Sequence, residues 1–119
     1  MQHKTALSTQ PCGPRCEKIE KKPGCIKTTL ETIGDKWTPF LVARLIDAPR
    51  SFNELSELLP GISPRTLSAR LKKLEEEGIL SRMQYEQHPP RFRYALTKKG
   101  TELTTILESM ASWGAKYQK

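Results

Sequence analysis

The chain has no apolar run that approaches the roughly 18 residues of a membrane span. Its opening residues, MQHKTALSTQ, lack the apolar core of a secretory signal. A cytoplasmic protein without membrane association is the expectation. Histidine is scarce: His3 and His88 are the only two, and both fall in segments that read as loops. There is no P-loop, no HExxH and no GxSxG, so the usual phosphate-cradling, zinc-hydrolase and serine-nucleophile constellations are excluded. Glu75, Glu76 and Glu77 end a helical pattern beside Gly78 with no histidine or nucleophile near them, and read as a solvated helix end rather than catalytic carboxylates. The chain is not expected to be an enzyme, and no cofactor is called for. Cysteine is scarce too. All three lie in PCGPRCEKIEKKPGC at residues 11–25, and three thiols cannot pair completely within one chain.

What is abundant is positive charge. The net charge is +7, and it is unevenly placed. Residues 63–99 carry nine Lys/Arg against four Asp/Glu, and residues 1–25 carry five against two. A local basic surface of this kind suits a polyanion, with nucleic acid first and an anionic membrane second. The 119-residue length bounds the chain to one domain with one core.

Residues 1–24 hold three of the nine prolines, show no helical or strand period and read as a flexible basic arm. Order begins near Cys25. Ile26, Leu30 and Ile33 mark one face of a short helix ended by Gly34, and Trp37, Phe40, Leu41 and Leu45 continue the period in a second. Ser51-Phe-Asn-Glu54 has the form of a capping box, and Leu55, Leu58 and Leu59 give the third helix its apolar side. After the breaker Pro60-Gly61, Ser63-Pro64 supplies an N-cap and a first-position proline for a helix over 63–77. Its stripe is Leu67, Leu71 and Leu74, and Gly78 stops it. Two capped helices joined by Pro-Gly-Ile form a helix-turn-helix pattern. Phe92, Tyr94 and Leu96 then alternate with Arg91, Arg93 and Ala95 as a strand, with residues 79–85 as its partner and Glu86–Pro90 as a tip too proline-rich for regular pairing. The fold class is mainly α with a small β-hairpin: a winged helix-turn-helix. From the N-cap Thr97, a helix over 97–117 repeats Leu103, Ile106, Leu107, Met110, Trp113 and Tyr117 at three- and four-residue spacing. At the chain end a second copy is the natural cover for that stripe, since small winged-helix regulators read two half-sites as dimers; packing back on its own domain is the alternative.

With Leu67, Leu71 and Leu74 inward, Arg65, Ala69 and Lys72 fall almost opposite, flanked by Ser68 on one side and by Thr66 and Lys73 on the other. Arginine can bond guanine in bidentate fashion, the hydroxyls can meet phosphate or base edges, and alanine permits close approach. Arg91 is expected to project from the stiff tip into a minor groove or onto phosphate. Arg93 is a second candidate, and His88 a weaker one.

The sequence resembles the HxlR-type winged-helix transcriptional regulators over about residues 25–115. The resemblance is carried by Cys25, by IGDKWTPFLVARL at 33–45, and by RSFNELSELLPGISPRTLSARLKKLEEEGIL at 50–80. YEQHPPRFRYALTKKG at 85–100 and Trp113-Gly114 complete it. It implies a DNA-binding homodimer on a pseudo-palindromic double-stranded operator, N- and C-terminal helices that form the dimer interface, and a major-groove role for 63–77. The domain would then be 25–119, with 1–24 as its arm.

Cys25, at or just before a helix start and near Lys21, Lys22 and Lys27, is favoured as thiolate. The resemblance implies that a cysteine there can sense oxidants, quinones or aldehydes; an inert core thiol is the alternative. Cys12 and Cys16 can serve as resolving thiols for an oxidised Cys25 or be incidental. Together with Cys25 they also make an incomplete metal set, needing His3 or a partner chain as fourth ligand. A winged helix used for protein–protein contact and a metal-dependent sensor are the rival readings. The inducer and the operator are not written in the sequence.

Overall fold

The computed structural model describes residues 14–20 and 26–118, in two compact units divided between Gly34 and Asp35. This boundary lies ten residues beyond the expected end of the arm at residue 24, and the first unit is not without helix. Helix α1 spans Pro14–Glu20 and α2 spans Ile26–Ile33. Proline at the first position of α1 is pre-organised for a helix. A seven-residue helix whose one long aliphatic side chain is Ile19 offers no period for a sequence pattern to reveal. In α2 the predicted face is present, with Ile33 buried and Ile26 and Leu30 exposed. Gly34 closes α2 by donating to the Leu30 carbonyl at 2.8 Å, and a Cβ at this position would run into that same oxygen.

The second unit is the winged helix. Its elements are α3 (Thr38–Arg44), β1 (Arg50–Ser51), α4 (Phe52–Leu58), α5 (Pro64–Glu76), β2 (Leu80–Gln87), β3 (Pro90–Leu96), α6 (Lys98–Thr101) and α7 (Leu103–Lys116). The strands form one antiparallel sheet in the order β1-β3-β2, so the predicted hairpin gains a third strand of two residues. Arg50 pairs with Tyr94 and Ser51 with Arg93.

Helices α3 to α6 each start for a local reason. Asp35 caps α3: Oδ1 accepts from the Trp37 and Thr38 amides at 2.8 and 2.9 Å, and Oδ2 accepts from the Thr38 hydroxyl at 2.6 Å. The Ser51–Glu54 capping box closes both ways, at 3.1 and 2.8 Å. Ser63 accepts from the Thr66 amide at 3.0 Å, with Pro64 next. Thr97 accepts from the Gly100 amide and donates back to the Gly78 carbonyl, tying the start of α6 to the end of α5. Gly78, at φ +78°, occupies the left-handed region that a β-carbon disfavours. Lys99 donates to the Glu77 carbonyl at 2.8 Å, a cation at the negative end of α5.

The core joins Leu41, Val42 and Leu45 of α3 and its end, Leu55 and Leu59, Ile62, the stripe Leu67/Leu71/Leu74, and Ile79 and Leu80. Trp37, Phe52, Tyr94, Leu96, Leu103 and Leu107 pack around it. Phe40 departs from its expected inward place and is 58% exposed. With Thr38, Leu41, Val42 and Leu45 inward, position 40 lies about 150° from the centre of the buried face.

The Asp35 carboxyl is pushed up by partial burial, but hydrogen bonds from Thr38 and Trp37 and the nearby Arg70 guanidinium outweigh this and hold it below the usual aspartate range. A lowered folded-state pKa contributes stability that is complete above the ordinary aspartate value and is lost as pH falls through the lowered one. Acid unfolding followed by far-ultraviolet dichroism should therefore show a steeper loss of stability in that window for the wild type than for Asp35→Asn. The variant should be the less stable of the two at neutral pH. Parallel curves would show that Asp35 contributes nothing to acid sensitivity.

Candidate nucleic-acid interface

Helix α5 turns its leucines fully inward: Leu67, Leu71 and Leu74 are at most 1% exposed. That burial fixes the opposite face. Arg65, Ser68, Ala69 and Lys72 are all exposed on it, as their spacing predicts, so two cations and a hydroxyl surround one small residue. Thr66 and Lys73 sit differently and are half-buried. The Thr66 hydroxyl accepts from the Ser63 hydroxyl at 2.9 Å, which makes it part of the helix cap as well as a candidate contact.

The wing corrects one expectation. The prolines at the tip do not prevent pairing: Gln87 pairs with Pro90 and Glu86 with Arg91, which leaves only His88 and Pro89 in the turn. Pro90 is tolerated because it is the first residue of its strand. The His88–Pro89 peptide bond is cis. A bulge at Tyr85 lets Gln84 face Phe92 while Glu86 faces Arg91. Arg91 is exposed and forms an ion pair with Glu86 at 2.8 Å. Both partners are more than half exposed, so the pair is worth at most about 1 kcal/mol and leaves Arg91 available to a phosphate. Arg93 lies further down the strand with its guanidinium 4.3 Å from the Tyr85 ring centroid. An open cleft of about 180 Å³ runs between the start of α4 and the wing, lined by Ser51, Phe52, Asn53, Tyr85, Arg91 and Phe92. It places the Asn53 amide on the same surface as Arg91.

The stripe of α7 divides. Leu103 and Leu107 are half-buried against their own core, whereas Ile106, Met110, Trp113 and Tyr117 are exposed, Trp113 at 68%. The Trp113 and Tyr117 rings lie 5.1 Å apart, side by side on the outer face. The six residues are thus not one surface: two anchor the helix and four face outward.

Cys12 and Cys25 lie outside the described residues. Cys16 falls within α1, and α2 begins at Ile26, directly after Cys25 in the sequence. Among the described residues no group of three or more His, Cys, Asp or Glu is arranged to hold a metal ion. Nor is any described helix long and apolar enough to cross a membrane.

Three basic residues escaped the sequence reading. Arg82 stacks 4.5 Å from the Phe92 ring centroid. Arg50 donates from Nε to the Arg44 carbonyl at 2.7 Å. Arg70 of α5 points toward Asp35, with Nε 3.3 Å from Oδ1 but off the hydrogen-bonding line. Asp35 and Thr38 ahead of a proline were a legible cap signal; the reach of Arg70 to that cap was not, because it joins residues 35 positions apart.

This architecture has close relatives. The sequence profile of the HxlR-like helix-turn-helix family matches residues 32–119. The helix-turn-helix-type transcriptional regulator YdeP of Bacillus subtilis is 42% identical over 96 residues, which covers 80% of this chain and 75% of YdeP. Among solved structures, the redox regulator HypR in its oxidised form superposes with a TM-score of 0.73 at 37% identity, over 79% of this chain and 97% of HypR. The reduced form of the transcriptional regulator YodB from B. subtilis does so with a TM-score of 0.73 at 31% identity, over 82% and 95%. With a winged helix-turn-helix fold, a profile match across most of its length and relatives of this kind, the chain belongs to the HxlR-like helix-turn-helix family of transcriptional regulators.

Proposed function

We propose that the protein works in the cytoplasm as a homodimer that reads a two-fold-related double-stranded DNA operator, and that thiol chemistry at Cys25 modulates this reading. The observation that carries the DNA reading is the exposed face of α5. Arg65, Ser68, Ala69 and Lys72 stand together on a helix whose opposite side is locked into the core. A helix of this profile suits the major groove, where Arg65 bonds a guanine edge and Lys72 meets phosphate or base. Thr66 and Lys73 lie at the margin of that surface. Arg91, and behind it Arg93, extend the basic surface along the wing toward the neighbouring backbone or minor groove.

Dimerisation is supported by the outward row Ile106, Met110, Trp113 and Tyr117. Four large apolar side chains at helical spacing form a surface that a second copy of the same helix would cover in self-complementary fashion. Leu103 and Leu107 support that seam from below. The redox arm of the proposal rests on the place of Cys25 immediately before α2 in the sequence and on the likeness to HypR, a redox regulator. Cys12 and Cys16 are then the available resolving thiols. No catalytic role is assigned.

The decisive experiment is selection of genomic DNA fragments by the purified protein, reduced and after mild thiol oxidation. Enriched fragments sharing a two-fold motif in the reduced state, and a changed enrichment after oxidation, are expected. Enrichment that is identical in both states would remove the thiols from regulation, and none in either state would leave protein–protein contact as the better use of the fold. Arg65→Ala should weaken binding to the selected duplex by roughly 1–3 kcal/mol and relax preference at one base position. Unchanged affinity and preference would take Arg65 out of the readout. Trp113→Asp places a charge in the seam and should convert the dimer to monomer in sedimentation velocity; a variant that sediments as a dimer would move the interface elsewhere.

A further inference from the structure

The flank of α5 carries a feature that DNA contact does not use. Arg70 lies roughly 60° around the helix from the centre of the leucine stripe, between the buried face and the exposed one. Its side chain turns inward, toward the start of α3, and reaches Asp35 at 3.3 Å. Asp35 is not a loose partner. Its two oxygens already hold three donors from Trp37 and Thr38, so the carboxylate is fixed relative to α3 before Arg70 arrives. Asp35 also stands at the first position of the winged-helix unit.

The leucine stripe decides which face of α5 is inward but not, by itself, the last few degrees of its rotation. Apolar burial is non-directional, and a small turn about the helix axis leaves the same three leucines inward. A charge held at a fixed point draws its partner toward that one place. The side chains of Arg70 and Asp35 are 34% and 25% exposed, so solvent limits what the pair adds to stability. Its effect falls instead on where α5 points. Ala69 is the residue before Arg70, and Lys72 the second after it, so a small rotation at Arg70 displaces the whole outward face.

We infer that Asp35 and Arg70 are a positioning pair that sets the rotation of the reading helix against α3, and so governs selective but not nonselective DNA binding. The inference rests on the proposed DNA reading of α5.

Charge makes the test sharp. Asp35→Asn removes a negative charge from a chain of net +7, so simple electrostatics makes it bind every DNA sequence more tightly. Positioning makes it bind the right sequence less tightly. Asparagine remains a good cap, so α3 retains most of its start signal. The probes are the duplex most enriched from genomic fragments by the wild type and a random duplex of equal length, each titrated across a salt series below the unfolding temperature of every variant. Asp35→Asn and Arg70→Gln should each weaken the enriched duplex by about tenfold, the size of one mismatched base pair. Random-duplex affinity should not fall for Asp35→Asn and should fall far less than tenfold for Arg70→Gln, which loses a cation, and the double variant should be no worse on the enriched duplex than the poorer single one. Asp35→Asn binding the enriched duplex as tightly as wild type, or more tightly, would overturn the inference while leaving the DNA reading in place. So would an Arg70→Gln loss shared equally by both duplexes with a salt slope shallower by about 0.9, which marks a phosphate contact instead. A wild type that prefers neither duplex overturns the DNA reading and the inference with it. Should Asp35→Asn fold poorly, Arg70→Gln and Arg70→Lys decide the matter on the same two duplexes.

Discussion

The inward packing of Leu67, Leu71 and Leu74 is the constraint from which the rest of the winged helix takes its bearings. Those three side chains are sealed among Leu41, Leu55, Ile79 and their neighbours, and losing any one would cost about 2–5 kcal/mol. Once they are inward, the outward face of α5 is set to within a small rotation about the helix axis. The sheet follows from the same core, because Ile79 and Leu80 lead directly from the end of α5 into β2 and hold the wing beside the helix. Around this centre, short-range bonds set the ends of elements: the Ser51–Glu54 box, the Ser63 cap, Thr97 reaching the Gly78 carbonyl, and Lys99 on the Glu77 carbonyl.

That division between a non-directional core and directional ends explains what was legible in the sequence. The helix-turn-helix, its caps and its exposed face were readable because a cap is a pattern over four residues and a stripe is a pattern over seven. The hairpin was readable from alternation at Phe92 and Tyr94. What escaped was either too short or too distant. Helix α1 has too few apolar residues to show a period, and β1 is two residues that exist as a strand only because Tyr94 and Arg93 lie opposite. Phe40 was misplaced because consecutive apolar residues on a short helix cannot all face inward, and Thr38 took one of the inward places. Pairing at the wing tip depended on Pro90 opening its strand, a matter of register rather than composition.

The candidate site divides along the same line. The identity of the outward residues on α5 followed from periodicity, but their partners did not. Thr66 is engaged with Ser63, Arg91 with Glu86, and Arg93 lies over Tyr85. These are pairings across a cap, a bulge and a strand pair, and each adds order to a side chain that a sequence reading treats as free in solvent. A surface ordered in this way surrenders less conformational entropy when a ligand meets it. The wing arginines are therefore better prepared for a rigid polyanion than their exposure alone suggests.

The two tryptophans give this protein a pair of native optical reporters in separate places. Trp37 is half-buried against the core, with the Lys36 ammonium 5.0 Å from its ring centroid. Trp113 stands in solvent on the outer face of α7 beside Tyr117. Loss of the fold moves Trp37 from an apolar to an aqueous setting and shifts its emission to the red. Any body that settles on α7 dries Trp113 and shifts its emission to the blue. Unfolding and assembly thus displace the fluorescence of one chain in opposite directions, without any added label.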